Sequence, residues 1–186
     1  MEELCTIVAM DSSNVSYTIC TTCEKTLVTG STCNSTNDND VPPFCKFCQD
    51  FKTAAAAAFI TSSSSRFKRL YRLLLSIAYG NKVVVVICFD KAARVLFGCS
   101  ADEFFDFEKV NPFAALNAGK ILEGEMFQMK LCEPKNGNAQ HLRAVSVVPL
   151  RSGFRPVIDT LRKLYRVGHS SHQVPQSRSH SPFQTS

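Results

Sequence analysis

Short apolar runs of strand length, broken by polar turns, set the pattern of this chain. Residues 4–10 and 15–19 are two such runs split by Asp11-Ser12-Ser13-Asn14, which reads as a pair of strands or as one strand with a turn. From Cys20 to Cys48 the chain turns to Thr, Asn, Asp and Cys with almost no aliphatic residue, so it cannot build an apolar core of its own there. Five alanines, Phe59-Ile60-Thr61 and four serines follow over 54–65, a low-complexity bridge that fits a short helix or a loop.

The densest regular pattern begins at Arg66. Residues 66–79 and 82–89 flank Gly80-Asn81, and Val83-Val84-Val85-Val86-Ile87 is rich in β-branched side chains, so a β-hairpin is predicted. Asp90 is placed to cap a helix over 91–97 that Gly98 stops. Ser100-Ala101-Asp102-Glu103 then has capping-box spacing ahead of Phe104-Phe105, which starts a second helix. A polar stretch follows, and after it two more strands are predicted over 125–132 and 141–148, joined by Pro134-Lys135-Asn136-Gly137-Asn138. Near the end, Pro156 suits a first helical turn, and Val157, Ile158, Leu161, Leu164 and Tyr165 share one helical face. Gly168 is expected to end this amphipathic helix, 156–167, and the Ser-, His- and Gln-rich residues 168–186 to form a disordered tail.

Composition sharpens this outline. With 186 residues, 45% of them hydrophobic, the chain can bury the core of one domain. It has no apolar run of the ~18 to 20 residues needed to cross a bilayer, and its acidic start, Met1-Glu2-Glu3, is unlike a signal peptide, so an intracellular protein is expected. The net charge of +5 hides a local excess: residues 51–100 hold eight basic groups against one acidic. Most of these are Arg66, Lys68, Arg69, Arg72, Lys82, Lys91 and Arg94, a density that suits a polyanion or an acidic partner, or else a solvated strand face.

Nine cysteines in a reducing compartment call for metal or thiol chemistry. Cys20-Thr21-Thr22-Cys23 and Cys45-Lys46-Phe47-Cys48 are two CxxC knuckles with 21 residues between them, the spacing of a four-thiolate zinc site. A thioredoxin-like redox motif would leave the second pair unexplained. Cys20, Cys23, Cys45 and Cys48 are therefore the predicted ligands, with Cys33 as a possible substitute. Four thiolates close the coordination sphere, so the zinc is expected to be structural. Cys88 and Cys132 are expected in strands.

These elements, in this order, resemble the C-terminal DNA-binding domain of the replication protein A large subunit. The resemblance runs through Tyr17-Thr18-Ile19-Cys20, both knuckles, residues 66–72, Val86-Ile87-Cys88-Phe89-Asp90 and Ala92-Ala93-Arg94-Val95-Leu96-Phe97-Gly98, and it covers roughly residues 5–166. Gly153-Phe154-Arg155-Pro156-Val157-Ile158-Asp159 adds a narrower resemblance to the DNA damage-induced apoptosis suppressor (noxin) proteins. The resemblance implies a mainly β protein: a five-stranded oligonucleotide-binding (OB) barrel with an inserted four-cysteine zinc ribbon and a C-terminal helix. Its OB domain would span 1–167, with the ribbon over 17–52 and the bridge over 53–65.

The implied function is binding of single-stranded DNA, with RNA left open, in nuclear replication, repair or recombination. Such barrels stack bases on aromatic side chains and track phosphates with basic ones. The residues offered for this are Arg66, Phe67, Lys68, Arg69, Tyr71, Arg72, Lys82, Phe89, Phe127, Lys130 and Arg143. Phe67, Arg69, Tyr71 and Leu73 would share one strand face, which either meets the ligand or packs inside the barrel. Phe44 and Phe47 are further stacking candidates. The alternative function is a protein-interaction or assembly module that docks through the helix 156–167. No GxSxG, Gly-rich phosphate loop, HExxH or framed carboxylate pair points to an enzyme, a membrane or a small-molecule substrate.

Overall fold

The computed structural model describes residues 2–27, 45, 67–134 and 140–170. The expectations for Cys33, Phe44, Phe47, Cys48, the bridge 53–65, Arg66, the turn residues 135–139 and the tail from 171 onward lie outside the described residues. The elements run β1 (Glu2–Met10), β2 (Ser16–Cys20), β3 (Thr26–Leu27), β4 (Phe67–Tyr79), β5 (Lys82–Phe89), α1 (Asp90–Phe97), α2 (Ala101–Val110), α3 (Ala114–Leu122), β6 (Met126–Cys132), β7 (Leu142–Pro149) and α4 (Val157–Ser170).

Strand alternation dictates the sheet. In β4, Tyr71, Leu73, Leu75 and Ile77 are buried at every second position, and Val86 and Cys88 do the same on β5. Gly80, at φ +58°, closes the hairpin between the two strands, which pair from Arg72↔Phe89 to Tyr79↔Lys82. The order β1-β6-β7-β5-β4-β2-β3, together with a second pairing of β1 to β4, closes β1, β4, β5, β7 and β6 into a ring. Among the described residues, only the β5–β7 pairing is parallel. β1 serves two neighbours by dividing itself: residues 2–6 pair with β6, residues 6–10 with β4, and an irregularity between Ile7 and Ala9 turns the corner.

Helices close the ends. Gly98 ends α1 at φ +74°, and the Ser100–Glu103 capping box is formed in both directions. Asp90 departs from expectation: it is the first helical residue, not the cap, and its carboxylate instead accepts from the Tyr71 backbone N–H (3.3 Å) and pairs with Arg94 (2.8 Å). The stretch after α2, read as merely polar, contains α3. Its Ala114, Ala115, Ala118 and Leu122 are buried, and a Cβ at Gly119 would still lie 3.6 Å from Met10, so small residues let this helix sit close to β1. α4 runs past Gly168 to Ser170. Val157, Ile158 and Leu161 from its apolar stripe are buried in the domain's own core, so they present no open docking surface.

The α1–α4 junction supplies a sharp test. A Cβ on Gly98 would fall 2.3 Å from the Pro156 Cβ, and the backbone there is left-handed. Gly98→Ala should therefore cost about 3 kcal/mol, combining the left-handed penalty with overpacking. Urea denaturation should show a lowered midpoint; an unchanged midpoint would mean that α4 does not pack here as described.

Candidate nucleic-acid face and cysteine cluster

Register decides which side chains share the outside of the barrel. Tyr71 on β4, Cys88 on β5 and Ala144 on β7 point into the core, so their neighbours in sequence point out. Directly opposed residues share a face. Tyr17 lies opposite Leu70 and Ile19 opposite Lys68, Arg72 lies opposite Phe89, and Ile87 lies opposite Arg143. One outer strip thus crosses β2, β4, β5 and β7, bearing Tyr17, Lys68, Arg72, Phe89 and Arg143. At about 4.8 Å per strand the strip spans roughly 14 Å, the length of two or three nucleotides.

Two of the cations on this strip are uncommitted. Among the described residues, the Lys68 ammonium and the Arg72 guanidinium have no hydrogen-bonding or ionic partner. Arg143 lies over the Phe89 ring, 4.8 Å from its centroid, giving a paired cation and aromatic surface. The five residues at the start of β4 extend beyond the end of β5, which would leave backbone donors open. Asp102 accepts from the Arg69 N–H (3.1 Å), and Asp90 accepts from that of Tyr71. These two carboxylates hold the overhang that carries Lys68.

Several predicted contact residues are placed elsewhere. Tyr71 is fully buried, with its ring 4.7 Å from Phe97 and its hydroxyl donating to the Ser100 carbonyl (3.1 Å). Burial pushes its hydroxyl pKa well above the usual phenol value. Phe127 is fully buried edge-on to Phe154. Neither ring can stack a base. Arg69 faces the helices, its guanidinium 3.5 Å above the Phe105 ring and 3.5 Å from Asp102. Phe67 sits half-buried opposite Cys20. Lys82 lies at the hairpin tip over Tyr79, and Lys130 is on β6 between Glu2 and Ser146, so both are off the strip. Tyr17, outside the predicted set, joins the strip, and its period-2 relation to Ile19 on β2 is the sequence signal for it.

The first knuckle is formed as its sequence requires. The Cys20 N–H donates to the Lys25 carbonyl (3.0 Å), and the Glu24 N–H to the Cys20 carbonyl (2.9 Å). Glu24 takes a left-handed φ of +56° to complete the turn. Cys45 joins this pair: the Sγ atoms of Cys20, Cys23 and Cys45 all lie within 4.8 Å of one another, and those of Cys23 and Cys45 are 3.6 Å apart. Thiolates around one tetrahedral zinc at ~2.3 Å would be about 3.8 Å apart, so the three cysteines fit such an ion. Cys5 and Cys88 have a different character. Burial pushes the Cys5 thiol up to about 11 and the Cys88 thiol up to about 12, which keeps both as neutral core groups.

A closed ring in which the third and fifth strands are parallel, with helices between the third and fourth, is the OB fold. The cysteine cluster stands where the chain leaves the first strands and returns as β4. No family model matches the sequence, and no curated protein matches it. Solved structures do. A replication protein A heterotrimer bound to single-stranded DNA superposes with a TM-score of 0.56 at 15% identity, over 91% of this chain and 35% of that one. Yeast replication protein A bound to single-stranded DNA gives 0.54 at 14% identity, over 90% of this chain and 85% of that one. This chain therefore spans about a third of the first of these, and the likeness is one of fold. The narrower resemblance to the apoptosis suppressors finds no support in these comparisons.

Proposed function

We propose that this domain binds single-stranded DNA across the outer strip of β2, β4, β5 and β7. The observation that carries the reading is the convergence of unpaired Lys68 and Arg72, the Arg143–Phe89 pair and Tyr17 on one solvent-facing strip. Aromatic faces accept any base and the cations follow the backbone, so binding should be sequence-tolerant along most of the strip. Two structures similar to it in fold were solved with single-stranded DNA bound, which supports the same ligand. Work on DNA in replication, repair or recombination, in the nucleus, is the setting this reading proposes.

The cysteine cluster is proposed to hold a structural zinc through Cys20, Cys23, Cys45 and Cys48. When bound, the ion would supply a cross-link between the end of β2 and the ribbon. Cys20 lies opposite Phe67, so the cross-link would also fix the overhang of β4 that carries Lys68.

Fluorescence anisotropy with labelled oligo-dT at two salt concentrations tests the DNA reading. Three phosphate contacts should give a log–log slope near −2, about 0.7 for each single-strand phosphate. Absence of binding at low salt would sink the proposal.

A further inference from the structure

At the β3 end of the outer strip lies a groove of about 260 Å3, lined by Asn14, Ser16, Tyr17, Thr18, Leu27 and Arg72. Its polar side chains are all uncommitted: among the described residues, those of Asn14, Ser16, Tyr17, Thr18 and Arg72 have no hydrogen-bonding or ionic partner. Other arginines are engaged, as Arg69 is with Asp102, Arg94 with Asp90 and Arg151 with Glu125. The backbone around the groove is nevertheless held. Asp11 Oδ1 accepts from both the N–H (2.9 Å) and the hydroxyl (2.7 Å) of Ser13, and the Arg72 N–H donates to the carbonyl of Val15, whose side chain is buried. Asn14 is thereby pinned between two anchored neighbours and next to Arg72. A fixed concavity with a full set of unused donors and acceptors is built for a polar ligand.

We infer that this groove is a base-reading subsite with a preference for adenine, which deepens the DNA-binding proposal and rests on it. A carboxamide presents one donor and one acceptor side by side, the complement of the N7 acceptor and the N6 amino donor on adenine. Tyr17 offers a ring face for the base and Arg72 a cation for its phosphate. At about 260 Å3 the groove is large enough to take a single base. The domain then reads one nucleotide at the end of an otherwise tolerant track.

The test uses the full chain and labelled dT12 against dT12 carrying one central dA, dC or dG. The dA oligomer should bind about tenfold more tightly than dT12. Asn14→Ala should remove that gain and leave dT12 affinity unchanged. Asn14→Asp should move the gain from dA to dC, because a carboxylate accepts from the cytosine N4 amino group. Equal affinity of the wild-type chain for all four oligomers, or a dA gain that survives both substitutions, overturns the subsite and leaves the DNA-binding face standing. Failure to bind any oligomer overturns both.

Discussion

Reversing the charge of Arg72 and Arg143 together should weaken oligo-dT binding by about 100-fold at low salt and flatten its salt dependence. Each arginine lies on the outer strip, facing solvent, and neither contributes to the core, so the fold should survive the change. Arg143 also covers Phe89, so its loss removes a stacking partner together with a phosphate contact. Phe89→Ala alone should cost about 1 to 3 kcal/mol of binding, the usual worth of one stacked base. Lys82→Glu is the internal control. It reverses one charge where the arginine pair reverses two, and it sits at the hairpin tip, seven residues along β5 from Phe89, or roughly 23 Å at strand rise. Anisotropy titrations on the three variants, with circular dichroism to check folding, decide the matter. A loss of about tenfold or more for Lys82→Glu, half that of the arginine pair on the log scale, would show that bulk charge, not this strip, binds the DNA.

The second large effect concerns the cysteines. Purified protein should carry one zinc per chain, and Cys20→Ser or Cys45→Ser should lose it. Structural zinc contributes on the order of 10 kcal/mol to the folding of small ribbons that lack a core, and the sequence from Cys20 to Cys48 is too poor in aliphatic residues to build one. The barrel has its own core, built on Tyr71, Phe97, Phe104 and Phe127, and should persist without the metal. The expected signature is therefore split: the zinc content falls to zero, the ribbon gains protease sensitivity, and the barrel keeps its far-ultraviolet circular dichroism. Affinity for DNA should fall as well, since Tyr17 and Lys68 flank the anchored end of β2. Cys132→Ser, at an exposed site away from the cluster, should change none of these. Full zinc content in Cys20→Ser would exclude Cys20 as a ligand and with it the four-thiolate assignment.

Much of this architecture is written in short-range pattern. The β4–β5 hairpin follows from β-branched alternation around Gly80-Asn81, and the α1 stop and the α2 start follow from Gly98 and from Ser100 with Glu103. Each depends only on neighbours within a few residues. The knuckle turn at Cys20–Cys23 is likewise local. α3 was overlooked because its buried residues are mostly alanine, which gives a helical face little hydrophobic contrast; the tight approach to β1 that makes alanine suitable appears only once both elements are placed.

The face of β4 shows where local pattern ends. Alternation sorts Phe67, Arg69, Tyr71 and Leu73 from Lys68, Leu70, Arg72 and Leu74, but both sets mix apolar and charged side chains, so periodicity cannot say which set faces the ligand. Ring closure and the packing of α1 and α2 under the barrel decide it, by giving Tyr71 a carbonyl acceptor and Arg69 a carboxylate and a ring. The sequence by itself determined the strands, the caps, the first knuckle and the local excess of positive charge, because these are set by contacts a few residues apart. Tertiary structure alone decided which cations stay free for a ligand, because whether an arginine is paired depends on residues such as Asp102 that lie 33 positions away along the chain.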